Sequence, residues 1–162
     1  MIYEQIFKCL NDAKVKYLVA GGMAVNLHGI PRVTQDLDII VDLKPDNVKN
    51  LSETLKRLGF FPRAPVDPLL LADPVVRNEW ITKKNMKVFC FYNGKMPMYE
   101  IDVFIIIPVD IEKAFKKAVI KNTGKISIPL VSIDDLIKMK KLAGRPQDLW
   151  DIEMLKTLQK LE

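Results

Sequence analysis

The chain has 162 residues, 49% of them apolar and 28% charged, proportions that suit a folded globular protein and exclude a disordered, collagen-like or low-complexity one. Its length fits one domain with a real core, and 25 basic minus 20 acidic side chains leaves +5, which favours an anionic partner without naming it. The longest strongly apolar stretch, residues 103–107, stops at Pro108 and falls far short of a membrane span. The N-terminus has no basic start followed by an apolar run, so the expectation is a cytoplasmic protein whose Cys9 and Cys90 are reduced core thiols. A single histidine, His28, rules out a His-rich metal site.

In chain order, Ile6, Phe7 and Leu10 stand at helical spacing, which predicts a first helix over residues 3–14. Residues 17–20 form a short apolar strand that meets a turn at Gly21-Gly22, and residues 23–27 suit a short helix ending near Gly29. Residues 36–42 read as a strand. Pro45 opens a helix with Val48, Leu51, Leu55 and Leu58 on one face, and Gly59 closes it. Four prolines break up residues 61–75. Strands over residues 86–92 and 98–107 follow, joined by an Asn93-Gly94 turn. A helix over residues 110–119 is capped by Asp110, a short strand surrounds Ile126 and Ile128, Ser132 caps a helix through Leu142, and a last helix spans residues 146–161. Strands interleaved with helices make an α/β (α+β) domain, a mixed and largely antiparallel sheet flanked by helices. The whole chain reads as one domain, with a core of about residues 1–130 and C-terminal helices over about residues 131–162.

Asp36-Leu37-Asp38 carries the most chemistry. Asp is depleted in strands, yet two acids here share one face while Leu37 and Ile39 point to the other. Such carboxylates sit roughly 6–7 Å apart. Their repulsion is on the order of 2–3 kcal/mol at an effective dielectric of about 20. Either they are solvated acids at a strand end, or a cation offsets the cost, and Mg²⁺ with substrate phosphates suits carboxylates of this kind. The second acidic strand alternates in the same way, with Ile101, Val103 and Ile105 on one face and Glu100 and Asp102 on the other. Beside the first strand, it would supply a third carboxylate and allow two metal ions. Glu100 shares that face, so spacing leaves the third ligand open between Glu100 and Asp102. Gly21-Gly22 follows a strand and precedes Asp36 by the 13 residues 23–35. Glycines there allow a phosphate close approach to backbone amides.

Taken together, Gly21-Gly22, Asp36-Leu37-Asp38 and Ile101-Asp102-Val103 resemble the pattern of the polymerase-β-type nucleotidyltransferase superfamily. Gly29, Arg32, Thr34 and the Asp36/Asp38 pair resemble small stand-alone members, including nucleotidyltransferase toxins of the abortive-infection type, as does residues 143–152 at the tail. The resemblance implies a nucleotidyltransferase fold and transfer of an NMP from an NTP, such as ATP, to an acceptor. Asp36, Asp38 and Asp102 would bind two Mg²⁺ (or Mn²⁺) ions, and Gly21 and Gly22 would hold the triphosphate. The acceptor would be tRNA or another RNA, or a protein, in a toxin–antitoxin pair with an antitoxin partner. Two alternatives stand beside it: a small-molecule acceptor of the antibiotic type, and a non-catalytic nucleotide- or partner-binding module.

Lys140 extends the apolar stripe of Ile133, Leu136 and Ile137, so it either snorkels to the surface or reaches a phosphate. Arg32 is either an ordinary loop arginine or a phosphate clamp, and Thr34 either shapes the turn or joins the nucleotide site. Asp148 and Asp151 share a helix face, where they pair with Arg145 or Lys140 or, with Glu100, line an acceptor pocket. His28 reads as packing or capping, and Trp80 and Trp150 as core or pocket wall.

Overall fold

The computed structural model describes residues 2–162. Helix α1 (Ile2–Asp12) leads into β1 (Tyr17–Ala20), α2 (Gly21–Leu27), β2 (Leu37–Val41) and α3 (Pro45–Arg57). Then come β3 (Phe60–Pro62), a short 3-10 turn (Pro68–Ala72), α4 (Pro74–Lys84), β4 (Val88–Asn93) and β5 (Glu100–Phe104). The chain finishes with α5 (Ile111–Lys116), β6 (Val119–Thr123), β7 (Ile126–Leu130), α6 (Ile133–Ala143) and α7 (Pro146–Leu161).

The strands form one mixed sheet in the order β3-β4-β5-β2-β1-β7-β6. β2 pairs in parallel with β5, and β1 with β7. The remaining neighbours run antiparallel. The centre is built from continuous apolar runs because it is covered on both faces: all of β1 is buried, as are Leu37, Ile39, Ile40 and Val41 of β2. Ile6, Phe7 and Leu10 of α1 and Val48, Leu51 and Leu55 of α3 pack into that core. Each side chain of this size is worth roughly 1.5–3 kcal/mol when removed from water.

Several boundaries differ from expectation. α2 starts at Gly21, so the glycine pair forms its first turn and not a separate loop. Asp36 lies one residue ahead of β2. The β4–β5 connection is longer than a two-residue hairpin, because the buried Asn93 carboxamide oxygen accepts from the backbone N–H groups of Lys95 and Met96 and holds the loop open. Within the proline-rich stretch, Asp67 caps the 3-10 turn and Asp73 caps α4. Neither β3, α4 nor β6 is visible in the apolar periodicity. α4 buries only Trp80, and β6 is a solvent-facing edge strand. The caps of the last third match expectation: Asp110 accepts from Lys113 N–H, and Ser132 from Asp135 N–H.

Candidate active site

Sheet register, not proximity in sequence, assembles the acids. Asp38 of β2 lies directly beside Asp102 of β5, and Cys90 of β4 lies directly beside Asp102 on the other side. Side chains in register on neighbouring strands project from the same face about 4.8 Å apart, so Cys90, Asp102 and Asp38 form one row. Glu100 sits one pleat along on β5, where Arg63 pairs with its carboxylate. Among the described residues, Cys90, Glu100 and Asp102 have their ligand atoms within 4.8 Å of one another. Asp36 stands at the mouth of the same strand as Asp38.

Burial and mutual repulsion leave these acids reluctant to ionise. Burial pushes the Asp38 carboxyl up to about 7, with Asp102 and Asp36 adding to the shift and Lys140 and Arg145 opposing it. Asp36 is raised by burial and then by Glu100. Asp102 is raised by burial, against a Cys90 hydrogen bond that lowers it and the charges of Asp36 and Glu100 that add to it. Hard carboxylate oxygens whose charge lacks compensation are a donor set that fits a divalent cation.

Gly21 and Gly22 lie against this row. Gly21 has φ +60, and a Cβ there would fall 2.0 Å from Asp38 Oδ2. At Gly22 a Cβ would fall 2.9 Å from Arg32 Nη1 and 3.0 Å from Thr34 Oγ1. Gly21 therefore requires glycine, a side chain at Gly22 would displace Arg32, and the two open a cleft of about 470 Å³. Asp36, Asp38, Arg32, Thr34, Lys140, Arg145 and Asp148 also line it.

The cationic side of the cleft is held by a buried network. Lys140 is only 5% exposed, and its ammonium lies 2.7 Å from Asp151 and 3.3 Å from Asp148. Asp151, fully buried, also accepts from Arg32 Nη1 at 2.7 Å. Its other oxygen accepts from Gln147. Asp148 accepts from the Arg145 backbone and side chain, closing a capping box at the start of α7. Burial raises the Asp148 carboxyl, but bonds from Arg145 and Lys140 outweigh it and leave its pKa below the ordinary value. The lysine thus neither snorkels nor stands free: two acids hold it at the cleft wall. Arg32 keeps a buried Nε with no hydrogen-bond partner, a donor unmet within the protein.

Two expectations change, those for the cysteines and for Trp150, and the one for His28 holds. Cys90 is a free thiol on the acidic row and Cys9 is also half-buried, so neither is a core residue. Burial pushes the Cys90 thiol up to about 12, and it stays protonated beside Asp102. Trp150 is 44% exposed on α7 and lines no part of the cleft, whereas Trp80 is core. His28 ends α2 and its Nε2 lies 2.8 Å from the Val131 carbonyl, a packing role. Two features were not singled out from sequence: Cys90, which only strand register brings to the row, and Arg145 as a cleft-lining residue, whose signal was its place just ahead of Pro146.

Comparison with known proteins gives a family and a shared fold. The model of the family described as "Nucleotidyl transferase AbiEii toxin, Type IV TA system" matches residues 9–162. A lincosamide antibiotic adenylyltransferase, LnuA, solved with lincomycin bound, is 16% identical with a TM-score of 0.64, over 97% of this chain and 96% of that one. The antibiotic-resistance factor ANT(2'')-Ia is 13% identical with a TM-score of 0.62, over 99% and 83%. A nucleotidyltransferase-like structure from Thermotoga maritima is 15% identical with a TM-score of 0.60, over 99% and 89%. At these identities the structures show a shared fold. No functionally curated protein matches the sequence. No helix among the described residues is long and apolar enough to cross a membrane.

Proposed function

The chain belongs to the AbiEii nucleotidyl transferase toxin family and is a nucleotidyltransferase enzyme, and from that premise we propose that it transfers an NMP from an NTP to a hydroxyl of an RNA or protein acceptor. In this reading it is the cytoplasmic toxin of a toxin–antitoxin pair. The observation that carries it is Asp38, which lines a glycine-floored cleft with Arg32, Lys140 and Arg145 on its wall and stands in register beside Asp102.

Asp36, Asp38 and Asp102 would hold the divalent ions, and as three hard-oxygen donors they suit Mg²⁺ or Mn²⁺. Bound there, such ions would neutralise the triphosphate and lower the pKa of an acceptor hydroxyl. The protein's own part is positioning. Amides of the first turn of α2 receive the triphosphate where no Cβ intervenes, and Arg32 Nε turns its unmet donor to a phosphate oxygen. Lys140 and Arg145 add positive charge, held in place by Asp148 and Asp151. The acceptor oxygen attacks the α-phosphorus in line, the bond from that phosphorus to the β-phosphate oxygen breaks, and pyrophosphate leaves. The acceptor proton passes to Asp102. The products are an acceptor–NMP phosphodiester and pyrophosphate, and no redox change occurs.

A small-molecule acceptor is the second reading, favoured by neighbours that act on antibiotics: LnuA was solved with lincomycin, and ANT(2'')-Ia with adenylyl-2''-tobramycin. A binding module without turnover fits less well, because the three acids and the glycine floor are all intact. The test is to incubate the pure protein with Mg²⁺ and each α-labelled NTP in cell extract, then fractionate RNA, protein and small molecules. The reading expects label in RNA or protein, lost on Asp38→Ala. Label in small molecules alone favours the second reading, and no label with any NTP overturns transfer.

A further inference from the structure

A second cavity of about 390 Å³ lies beside the catalytic cleft, and the segment Arg32-Val33-Thr34 forms a wall of both. Much of its remaining wall is apolar and aromatic, with Tyr3 and Phe7 of α1, Met23 and Leu27 of α2 and Tyr99 just before β5, and Glu4, Asn26 and Thr123 add polar groups at its margin. Tyr3 and Tyr99 stand edge-to-face with ring centroids 5.4 Å apart. The Tyr3 hydroxyl is a buried oxygen without a hydrogen-bond partner, on a side chain only 9% exposed. Arg32 Nε, on the shared wall, is the second such atom.

A buried hydroxyl left unpaired costs about 1–3 kcal/mol, and a fold needing only apolar packing would place Phe there. Burial, with the charges of Asp36, Tyr99 and Asp38 adding to it, pushes the hydroxyl up to about 12, so it stays a protonated donor. Val33, 90% exposed, marks the crossing between the two spaces with an apolar surface.

We infer that this second cavity is the acceptor subsite, and that it takes a flat ring without negative charge, carried next to the reacting hydroxyl. The inference rests on the transfer reading above and specifies its acceptor. The ring lies against Tyr3, Tyr99 and Met23, and the Tyr3 hydroxyl donates to a polar edge of it. The hydroxyl of the acceptor then passes over Thr34 to the acids. The nucleotide occupies the first cleft, and its affinity is independent of the second. The ring belongs either to a free small molecule or to the unpaired terminal nucleoside of a chain, since both present the same chemistry.

The test compares wild type, Tyr3→Phe and Met23→Trp with Mg²⁺ and α-labelled NTP, in two acceptor arms: a small-molecule extract and total RNA from the same cells. Binding of a fluorescent, non-hydrolysable NTP analogue is measured alongside as a check on folding. In the arm that wild type labels, Tyr3→Phe should raise the acceptor concentration at half-maximal rate about 10-fold with the maximal rate little changed, as expected for one lost hydrogen bond. Met23→Trp, which fills the cavity, should reduce transfer about 100-fold. Analogue affinity should stay within about 3-fold for all three proteins. Label in the small-molecule arm identifies a free ring compound, and label in the RNA arm a terminal nucleoside. Normal transfer by both variants overturns the subsite alone, as does analogue binding that falls in step with transfer. The protein fraction of the same cells is assayed in parallel: label in protein alone overturns the subsite and leaves the transfer reading standing, and no label in any fraction overturns both.

Discussion

Gly21 and Asp38 are in such close contact that a methyl group on the glycine would sit 2.0 Å from the carboxylate oxygen Oδ2. With φ at +60, the residue combines a left-handed backbone with a missing side chain. Gly21→Ala should therefore cost about 1–2 kcal/mol of stability from backbone strain. It should also displace Asp38 and reduce transfer at least about 100-fold. Denaturant unfolding and label transfer on the same sample check both. Gly29, whose Cβ would meet nothing within 4 Å, provides a contrast, because Gly29→Ala should strain the backbone without disturbing the site.

Asp38 gives the apoprotein a signed pH dependence. Its folded pKa is about 7. The unfolded value is about 3.9. Between the two, the folded chain keeps a proton that the unfolded chain has released, so unfolding free energy falls as pH rises and levels off above the upper value. Asp36 and Asp102 are shifted the same way. Without metal, the melting temperature should be higher near about pH 5.5 than near about pH 8, and Asp38→Asn should narrow the gap by stabilising the protein at the higher pH. Mg²⁺ should raise the melting temperature of wild type at the higher pH and have much less effect on the variant. A wild-type melting temperature that rises steadily across this window would contradict the assignment.

Asp151 is the buried link between the two cations of the cleft wall, accepting from Arg32 and Lys140 at 2.7 Å each. Asp151→Asn leaves both cations short of a partner, although Lys140 retains Asp148. A loss of about 3 kcal/mol is expected, in the range for breaking a buried pair. The NTP analogue should bind more weakly as well, because Arg32 is no longer aimed. Equilibrium unfolding and analogue titration separate the two effects. Arg63→Ala, which frees Glu100 far from this network, should leave analogue binding close to wild type.

The third acid can be distinguished by substitution. Asp102 stands beside Asp38 in register, whereas Glu100 is one pleat away and paired to Arg63. Asp102→Asn should lower the maximal transfer rate at least about 100-fold, and Glu100→Gln less than about 10-fold. Equal losses would assign the role to both.

Much of the site was legible because its pieces are local. Strand alternation separated Asp38 from the buried Leu37 and Ile39 and Asp102 from Ile101 and Val103, and the glycine pair announced a close approach. The helix stripe of α6 placed Lys140 on its apolar face, and Asp148 and Asp151, for which pairing with it was one reading, hold it there. What sequence could not display was lateral order. Cys90 joins the acids only because β4 runs antiparallel to β5 in a register set by the core. α4 and β6 were missed for a related reason: α4 buries one large side chain and β6 lies at an exposed edge, so neither carries the period that burial imposes. Trp150 was assigned inward on residue type, yet the buried face of α7 is made by Asp148, Asp151, Ile152 and Leu155.

The most direct measurement follows the two ends of the nucleotide separately. Wild type and Asp38→Asn are incubated with Mg²⁺, extract and the same NTP labelled at either the α- or the γ-phosphate. The account predicts that α-label becomes attached to an acceptor, that γ-label is released only as pyrophosphate in equal amount, and that the variant does neither. Attachment of the γ-label, or undiminished α-transfer by Asp38→Asn, would contradict it.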